Sequence, residues 1–281
     1  MTVSECSRMI RDRLAPLYGD GEARAMAKII FENLKGWTPV DIAVKANDEL
    51  TDFMVGKVEQ VLARLLDNEP IQYIFGNTVF YGLKLKVTPD TLIPRPETAE
   101  LVDLIVGDRS QKDLRVLDIA TGSGCIAVAL GRNLPFADVT ATDVSDKALK
   151  VAEENAKALN VKADFIKADI LKGEPADAAE FDIIVSNPPY IAESERASME
   201  PNVVAHEPWL ALFVPDSDPL RFYRAILKYG RDHLADGGKI FFEINPLFAR
   251  QLVTLAGESG YGDVQLQRDS FGKERFAIIS K

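Results

Sequence analysis

At 281 residues, with 47% hydrophobic and 27% charged side chains, the chain is long enough for one large or two modest domains around a substantial core. Its formal net charge of −10 disfavours a large polyanionic partner, because phosphate neutralisation dominates nucleic-acid affinity. No apolar run approaches the roughly 18 residues of a membrane span, and the first residues, with Glu5, Arg8, Arg11, Asp12 and Arg13, lack a signal-like apolar region, so a cytoplasmic protein with a protein or small-molecule substrate is expected.

Residues 1 to about 70 read as helical. Apolar positions recur at helical spacing from Ala25 to Phe31 and again from Phe53 to Leu66, with Gly36 and Pro39 as interruptions and Thr51 or Asp52 as a cap. A bundle of four or so helices is expected. From Ile71 to Val87 aromatic and β-branched residues dominate, broken by Gly76 and Gly82, which predicts a hairpin over 71–90 linking two domains. Pro94-Arg95-Pro96 then leads into a helix from about Glu97 to Val106.

Beyond Leu114, apolar strands alternate with helices, the pattern of a parallel α/β sheet occupying 91–281. Strands are expected at 115–119, 138–142, 163–166, 181–186, 239–244 and 275–279, and helices at 124–133, 145–158, 219–233 and 246–258. Gly237-Gly238 reads as a turn returning the chain to a strand. Cys6 and Cys125 are too few for a disulfide framework, and with His206 and His233 they make no metal-ligand spacing, so no metal is expected. Cys125 is expected to pack as a small apolar residue.

The first strand runs into Ala120-Thr121-Gly122-Ser123-Gly124, a glycine turn before a helix that allows close approach of a ligand. Gly122, Gly124 and Ala127 also fit a dinucleotide loop, so the loop alone indicates an adenosyl cofactor of either kind. Asp143, 19 residues after Gly124 at the end of the next strand, can accept both hydroxyls of a ribose; the alternative is a helix N-cap. Asp169, with Ile170, follows the third strand and can meet an adenine amino group. Asp118, just before the loop, can orient a cationic amino-acid tail, which favours S-adenosyl-L-methionine over a dinucleotide.

Asn187-Pro188-Pro189-Tyr190 closes the apolar run 181–186. Consecutive prolines fix φ and supply no N–H, so the turn is stiff. A side-chain amide oxygen and a backbone carbonyl beside a flat ring form a seat for a planar NH2 group, whose delocalised lone pair needs to be aimed before it attacks. The plain alternative is a proline-rich turn after a buried strand, because four residues are a short match. The same tetrapeptide suits the exocyclic amine of a flipped adenine, a second enzymatic reading that predicts a basic face the net charge argues against. A non-catalytic binding module would tolerate loss of the glycines or of Asn187, both present here.

Taken together, residues 69–76, Phe80-Tyr81-Gly82-Leu83, Thr91-Leu92-Ile93-Pro94-Arg95-Pro96-Glu97-Thr98, Ala120 to Cys125 and Ser186 to Ile191 resemble, in order and spacing, the HemK/PrmC-type peptide-chain release factor N5-glutamine methyltransferases. The resemblance is dense over 69–191 and looser elsewhere. It implies a Rossmann-like class I S-adenosyl-L-methionine-dependent methyltransferase domain, α/β in class, with an N-terminal helical domain (1–70) that recognises the substrate. The sheet would have seven strands, the last pair including an antiparallel one. The implied substrate is the glutamine of the Gly-Gly-Gln motif in bacterial class I release factors. Asn187 and the Pro188 carbonyl would hold the amide, Tyr190 would pack on it, and residues 120–124, Asp143 and Asn187 would line the cofactor site. The chain departs from the family pattern at Glu207 to Leu220 and at Glu243-Ile244-Asn245-Pro246, which bears on loop shape there. No residue stands out as a general base.

Overall fold

The computed structural model describes residues 1–107, 113–173 and 180–281, which divide into two compact units. One comprises residues 1–76 together with 200–206, the other 77–199 and 207–281.

In the first unit, α1 (Val3–Lys35) begins on a capping box in which Thr2 and Glu5 satisfy each other's backbone N–H groups. It bends at Gly19, whose φ of 78° and ψ of 161° lie outside helical space, and it stops at Gly36 in the left-handed region. α2 (Pro39–Val44) and α3 (Asp52–Leu66) follow, and Thr51 rather than Asp52 caps α3 by accepting from the Met54 N–H. Ile10, Leu14, Ile30, Phe31, Leu62 and Leu65 form its core. Ile71–Phe75 is a short helix, α4, and not the start of a hairpin. Pro70 presets φ for the helix entry and Gly76, left-handed, closes it, so local turn chemistry overrides the β-branched composition.

The second unit opens with the antiparallel hairpin β1 (Asn77–Phe80) and β2 (Leu83–Lys86), turned at Tyr81-Gly82, where both residues have positive φ. Then come α5 (Pro96–Gly107), β3 (Arg115–Ile119), α6 (Cys125–Asn133), β4 (Asp138–Asp143), α7 (Asp146–Ala158), β5 (Asp164–Lys167), β6 (Phe181–Ser186) and β7 (Ile191–Ala192). α8 (Pro201–His206) belongs to the first unit. The chain continues through α9 (Trp209–Leu212), β8 (Phe213–Val214), α10 (Arg221–His233), β9 (Leu234–Glu243), α11 (Ala249–Glu258), β10 (Asp263–Arg268) and β11 (Glu274–Ser280).

Seven strands form one sheet in the order β10-β11-β9-β6-β3-β4-β5, parallel from β9 to β5, with β11 antiparallel to both β9 and β10. Strand β10 is missing from the periodicity reading: Asp263-Val264-Gln265-Leu266-Gln267-Arg268 is an edge strand with four polar residues. Gly237-Gly238 does not sit in a turn before β9 but inside it. Phe181 pairs with Leu234 and Ile183 with Lys239, so the glycines belong to a bulge, and a Cβ on Gly238 would lie 2.9 Å from the Ala235 carbonyl.

Alternate residues of the central strands enter two cores. Val116, Val185 and Phe241 pack with Leu101, Val102, Ile126 and Leu130 of α5 and α6 on one face. Leu117, Ile184 and Phe242 pack with Tyr223, Leu227 and Leu252 of α10 and α11 on the other. Burial on both faces is why these parallel strands read as continuous apolar runs.

Candidate active site

From β3 the chain winds outward through β4 and β5 on one side and through β6 and β9 on the other, so the strand order reverses between β3 and β6. Crevices at such a switch point, outside the carboxyl ends of parallel strands, are the natural ligand sites of open α/β sheets. Register brings the candidate residues to one level: Ile119 pairs with Thr142 on one side and with Ser186 on the other. The next residue of each strand is Ala120, Asp143 and Asn187.

A cavity of about 230 Å³ opens there. That is several times the roughly 30 Å³ a water occupies in the liquid, and it suits an organic ligand. Ala120, Thr121, Gly122, Ser123, Asp143, Asp169, Ile170, Asn187 and Pro189 line it. Gly124, Asp118, Pro188 and Tyr190 are outside the lining.

Each of those four has a structural reason. Gly124 has φ +77°, and a Cβ on it would lie 2.8 Å from the Ala152 Cβ, so its glycine serves the approach of α6 to α7. Asp118 is fully buried beneath the loop, where one carboxylate oxygen accepts from Thr121 Oγ1 at 2.6 Å and from the Ala127 N–H at 3.1 Å. Through that oxygen Asp118 shapes the loop from behind, and it does not line the cavity. Burial pushes its pKa up to about 7, partly offset by those two hydrogen bonds, and its other oxygen has no protein partner. Pro188 is buried, and the Tyr190 hydroxyl turns to Glu243 Oε1 at 3.0 Å.

Asp143 accepts from the Gly122 N–H and from the Ser145 N–H, both at 2.9 Å. It is not the helix cap, because Ser145 caps α7 by accepting from the Ala148 N–H. Asp143 thus ties the glycine turn to the end of β4 and, with unused lone pairs on both oxygens, still faces the cavity. Burial raises its pKa against the pull of its backbone donors. Asp169 caps the turn that follows it by accepting from the Leu171 N–H at 3.1 Å, and it pairs with Lys172. A Cβ on Gly122 would meet nothing within 4 Å, while the residue's φ of +57° favours glycine. The left-handed Ala120 and Gly122, the open space and two carboxylates at the strand ends make a cradle that fits an adenosyl ligand.

Sequence reasoning assigned no role to Thr98, Glu207 or Glu243. Thr98 lies on α5, accepts from Asn187 Nδ2 at 3.2 Å and donates to Glu243 Oε2 at 2.7 Å. Glu207, also buried, receives the Ile93 N–H at 3.1 Å and pairs with Arg95, which clamps the Ile93-Pro94-Arg95 segment at the cavity mouth. Each carboxylate opens one of the two segments, Glu207 to Leu220 and Glu243 to Pro246, whose later residues depart from the family pattern. The signal available in advance was Glu243 itself, a carboxylate ending the apolar run Ile240-Phe241-Phe242 just as Asn187 follows its own. Cys125 is buried at the cavity edge, its thiol pushed up to about 12 by burial.

Residues 99–207 match the methyltransferase small domain family model and residues 5–76 the PrmC N-terminal domain model. A curated protein of Bacteroides thetaiotaomicron named release factor glutamine methyltransferase is 44% identical over 272 residues, covering 97% of this chain and 98% of that one. One of the same name from Flavobacterium psychrophilum is 42% identical over 271 residues, covering 95% of each. Among solved structures, a methyltransferase from Pyrococcus furiosus superposes with a TM-score of 0.53 at 20% identity, covering 79% of this chain and 97% of that chain. The T. thermophilus 16S rRNA N2 G1207 methyltransferase, in complex with AdoMet and guanosine, does so with a TM-score of 0.51 at 18% identity, covering 72% and 48%. At these identities the structural likeness establishes the class I methyltransferase fold and nothing finer.

Proposed function

The chain belongs to the release factor glutamine methyltransferase family, and from that premise we propose that it methylates the side-chain amide nitrogen of the glutamine in the Gly-Gly-Gln motif of class I peptide-chain release factors, using S-adenosyl-L-methionine. The observation that carries the reading is the convergence of Asn187 and Pro189 with Ala120 to Ser123 and Asp143 on one cavity at the strand ends. Bound S-adenosyl-L-methionine supplies a sulfonium-activated methyl group open to in-line displacement.

The residues of this chain do the rest by placement. Ala120, Thr121, Gly122 and Ser123 offer a close-approach backbone, and Asp143 offers acceptors to ribose hydroxyls. Asp169 and Ile170 border the adenine end. Asn187 Oδ1 accepts one N–H of the substrate amide, the Pro188 carbonyl is the second acceptor that the family resemblance implies although Pro188 is outside the cavity lining, and Tyr190, fixed through its hydroxyl, braces the corner. Holding both N–H bonds aims the nitrogen lone pair and stabilises the positive charge that grows on nitrogen, terms that are largest in the transition state. The proton that the nitrogen loses afterwards passes to water.

Residues 1 to about 70 would dock the protein substrate and take no part in the chemistry. If so, substitutions on the exposed apolar side chains Val40, Val44 and Phe53 lower kcat/KM for the intact factor and leave a short Gly-Gly-Gln peptide unaffected. The function itself is tested by incubating the enzyme with methyl-labelled S-adenosyl-L-methionine and either release factor or adenine-containing DNA and RNA. Label in the release factor supports the proposal, and label in nucleic acid alone refutes it.

A further inference from the structure

The two ends of the Asn187 amide are equal in size and opposite in hydrogen bonding: the oxygen accepts, the nitrogen donates. Which end meets the substrate decides what the seat can hold, and the structure contains a directional chain that sets it. Glu243, buried at the end of β9, accepts from Thr98 Oγ1 at 2.7 Å and from the Tyr190 hydroxyl at 3.0 Å. A carboxylate oxygen there has no proton to give, so the single hydroxyl proton of Thr98 points at Glu243. Only lone pairs remain on Thr98 Oγ1 for Asn187, and accordingly Asn187 Nδ2 donates to it at 3.2 Å. With Nδ2 anchored on Thr98, which lines the cavity beside it, the oxygen is the end of the Asn187 amide left to accept from a substrate. Burial pushes the Glu243 carboxyl pKa up, and the direction of the chain holds while the oxygen facing Thr98 carries no proton, in the ionised carboxylate or with the proton on the oxygen facing Tyr190.

We propose that Thr98, held by Glu243, is a positioning residue that locks Asn187 with its acceptor toward the substrate and so makes the site select a primary amide over a carboxylate. The inference rests on the glutamine reading above. An acceptor facing the seat complements the NH2 of glutamine and opposes the carboxylate of glutamate, which is nearly the same shape. Without the Thr98 hydroxyl, Asn187 can turn over and present its NH2, which a carboxylate welcomes.

The test uses the full chain carrying Thr98→Val, which keeps the side-chain shape and deletes the hydroxyl, beside Thr98→Ser, which keeps the hydroxyl. Peptides with Gly-Gly-Gln are assayed as substrates and the matching Gly-Gly-Glu peptides as competitive inhibitors. The expected result for Thr98→Val is a fall in kcat of about tenfold or more, on the scale of losing one aligned polar contact. Gly-Gly-Glu inhibition should tighten, so that the Gln-to-Glu preference narrows by about tenfold. Thr98→Ser should keep the wild-type preference, and Thr98→Ala carries the expectation of Thr98→Val if that variant does not fold. A lower kcat with an unchanged Gln-to-Glu preference would assign Thr98 a merely structural role and overturn the proposal. Absence of glutamine methylation by the wild-type enzyme would instead remove the functional reading on which it stands.

Discussion

The glycine loop is tied by partners close in the chain, Thr121 to Asp118 and Gly122 to Asp143, three and 21 residues apart, whereas the Asn187 to Tyr190 corner is tied to Thr98 and Glu243, 89 and 53 residues away. Pairing of β3 with β4 brings Asp143 to Gly122, and α7, next in the chain, adds Ala152 against Gly124 and the Asn155 amide donating to the Ser123 carbonyl. The amide seat is complete only after α5 has docked on one side and β9 has paired with β6 on the other. The proposed cofactor end is thus built largely from backbone geometry, and the proposed reacting end from side chains held at long range. Substitutions at the two ends should fail differently.

The largest effect is expected at the seat. Asn187→Ala removes the acceptor proposed for the reacting nitrogen and should raise the barrier by on the order of 2–4 kcal/mol, with little change in S-adenosyl-L-methionine affinity. Single-turnover rates together with calorimetric titration of the cofactor separate the two quantities, and a near-normal rate would dissolve the proposed contrast between the ends.

Next in size is Gly124→Ala, which strikes the framework rather than a contact. Its new Cβ would lie 2.8 Å from the Ala152 Cβ, at a φ of +77° that L-residues avoid at a cost of about 1–2 kcal/mol. With the steric displacement of α6 from α7 added, a loss of about 2–4 kcal/mol in stability is expected. Denaturant titration measures it, and a wild-type midpoint would mean that the two helices adapt.

Asp143→Asn should cost about 1–2 kcal/mol in cofactor binding, with kcat at saturation nearly unchanged, because ribose contacts are the same in ground and transition states. It also halves the acceptors available to the Gly122 and Ser145 N–H groups. An unaltered cofactor affinity would reduce Asp143 to a brace for the loop.

A further change concerns the pH slope of stability. The folded-state pKa of Asp118, about 7, lies above its ordinary value of 3.8, so between those pH values the folded protein binds more protons than the unfolded chain. Stability contributed in that window is present at low pH and lost as pH rises through it. Asp118→Asn should flatten the fall of Tm across the window without abolishing it, since burial raises the Asp143 and Glu243 carboxyls in the same direction. A Tm profile parallel to that of the wild type would show that Asp118 titrates normally.

The same contrast governs what the sequence discloses. Ala120 to Ser123, Asp143 and Asn187 are legible because each follows a strand visible as an apolar run, and register then aligns them. For Asp118, proximity in sequence to the loop does not reveal that one carboxylate oxygen accepts from Thr121 and from the Ala127 N–H. Thr98 and Glu243 escape because their chemistry exists only through pairing across 145 residues. In the fold, the buried parallel strands announce themselves as apolar runs, while edge strand β10 alternates only two apolar residues, Val264 and Leu266, among four polar ones. At Ile71–Phe75, Pro70 and Gly76 decide the conformation that composition misreads.

The most direct measurement of the central claim is the position of the transferred methyl group, read by tandem mass spectrometry of a Gly-Gly-Gln release factor after incubation with S-adenosyl-L-methionine and either wild-type or Asn187→Ala enzyme. The account predicts one methyl on the glutamine side-chain nitrogen with the wild type and almost none with the variant. A methyl on any other residue, or equal modification by both enzymes, would contradict it.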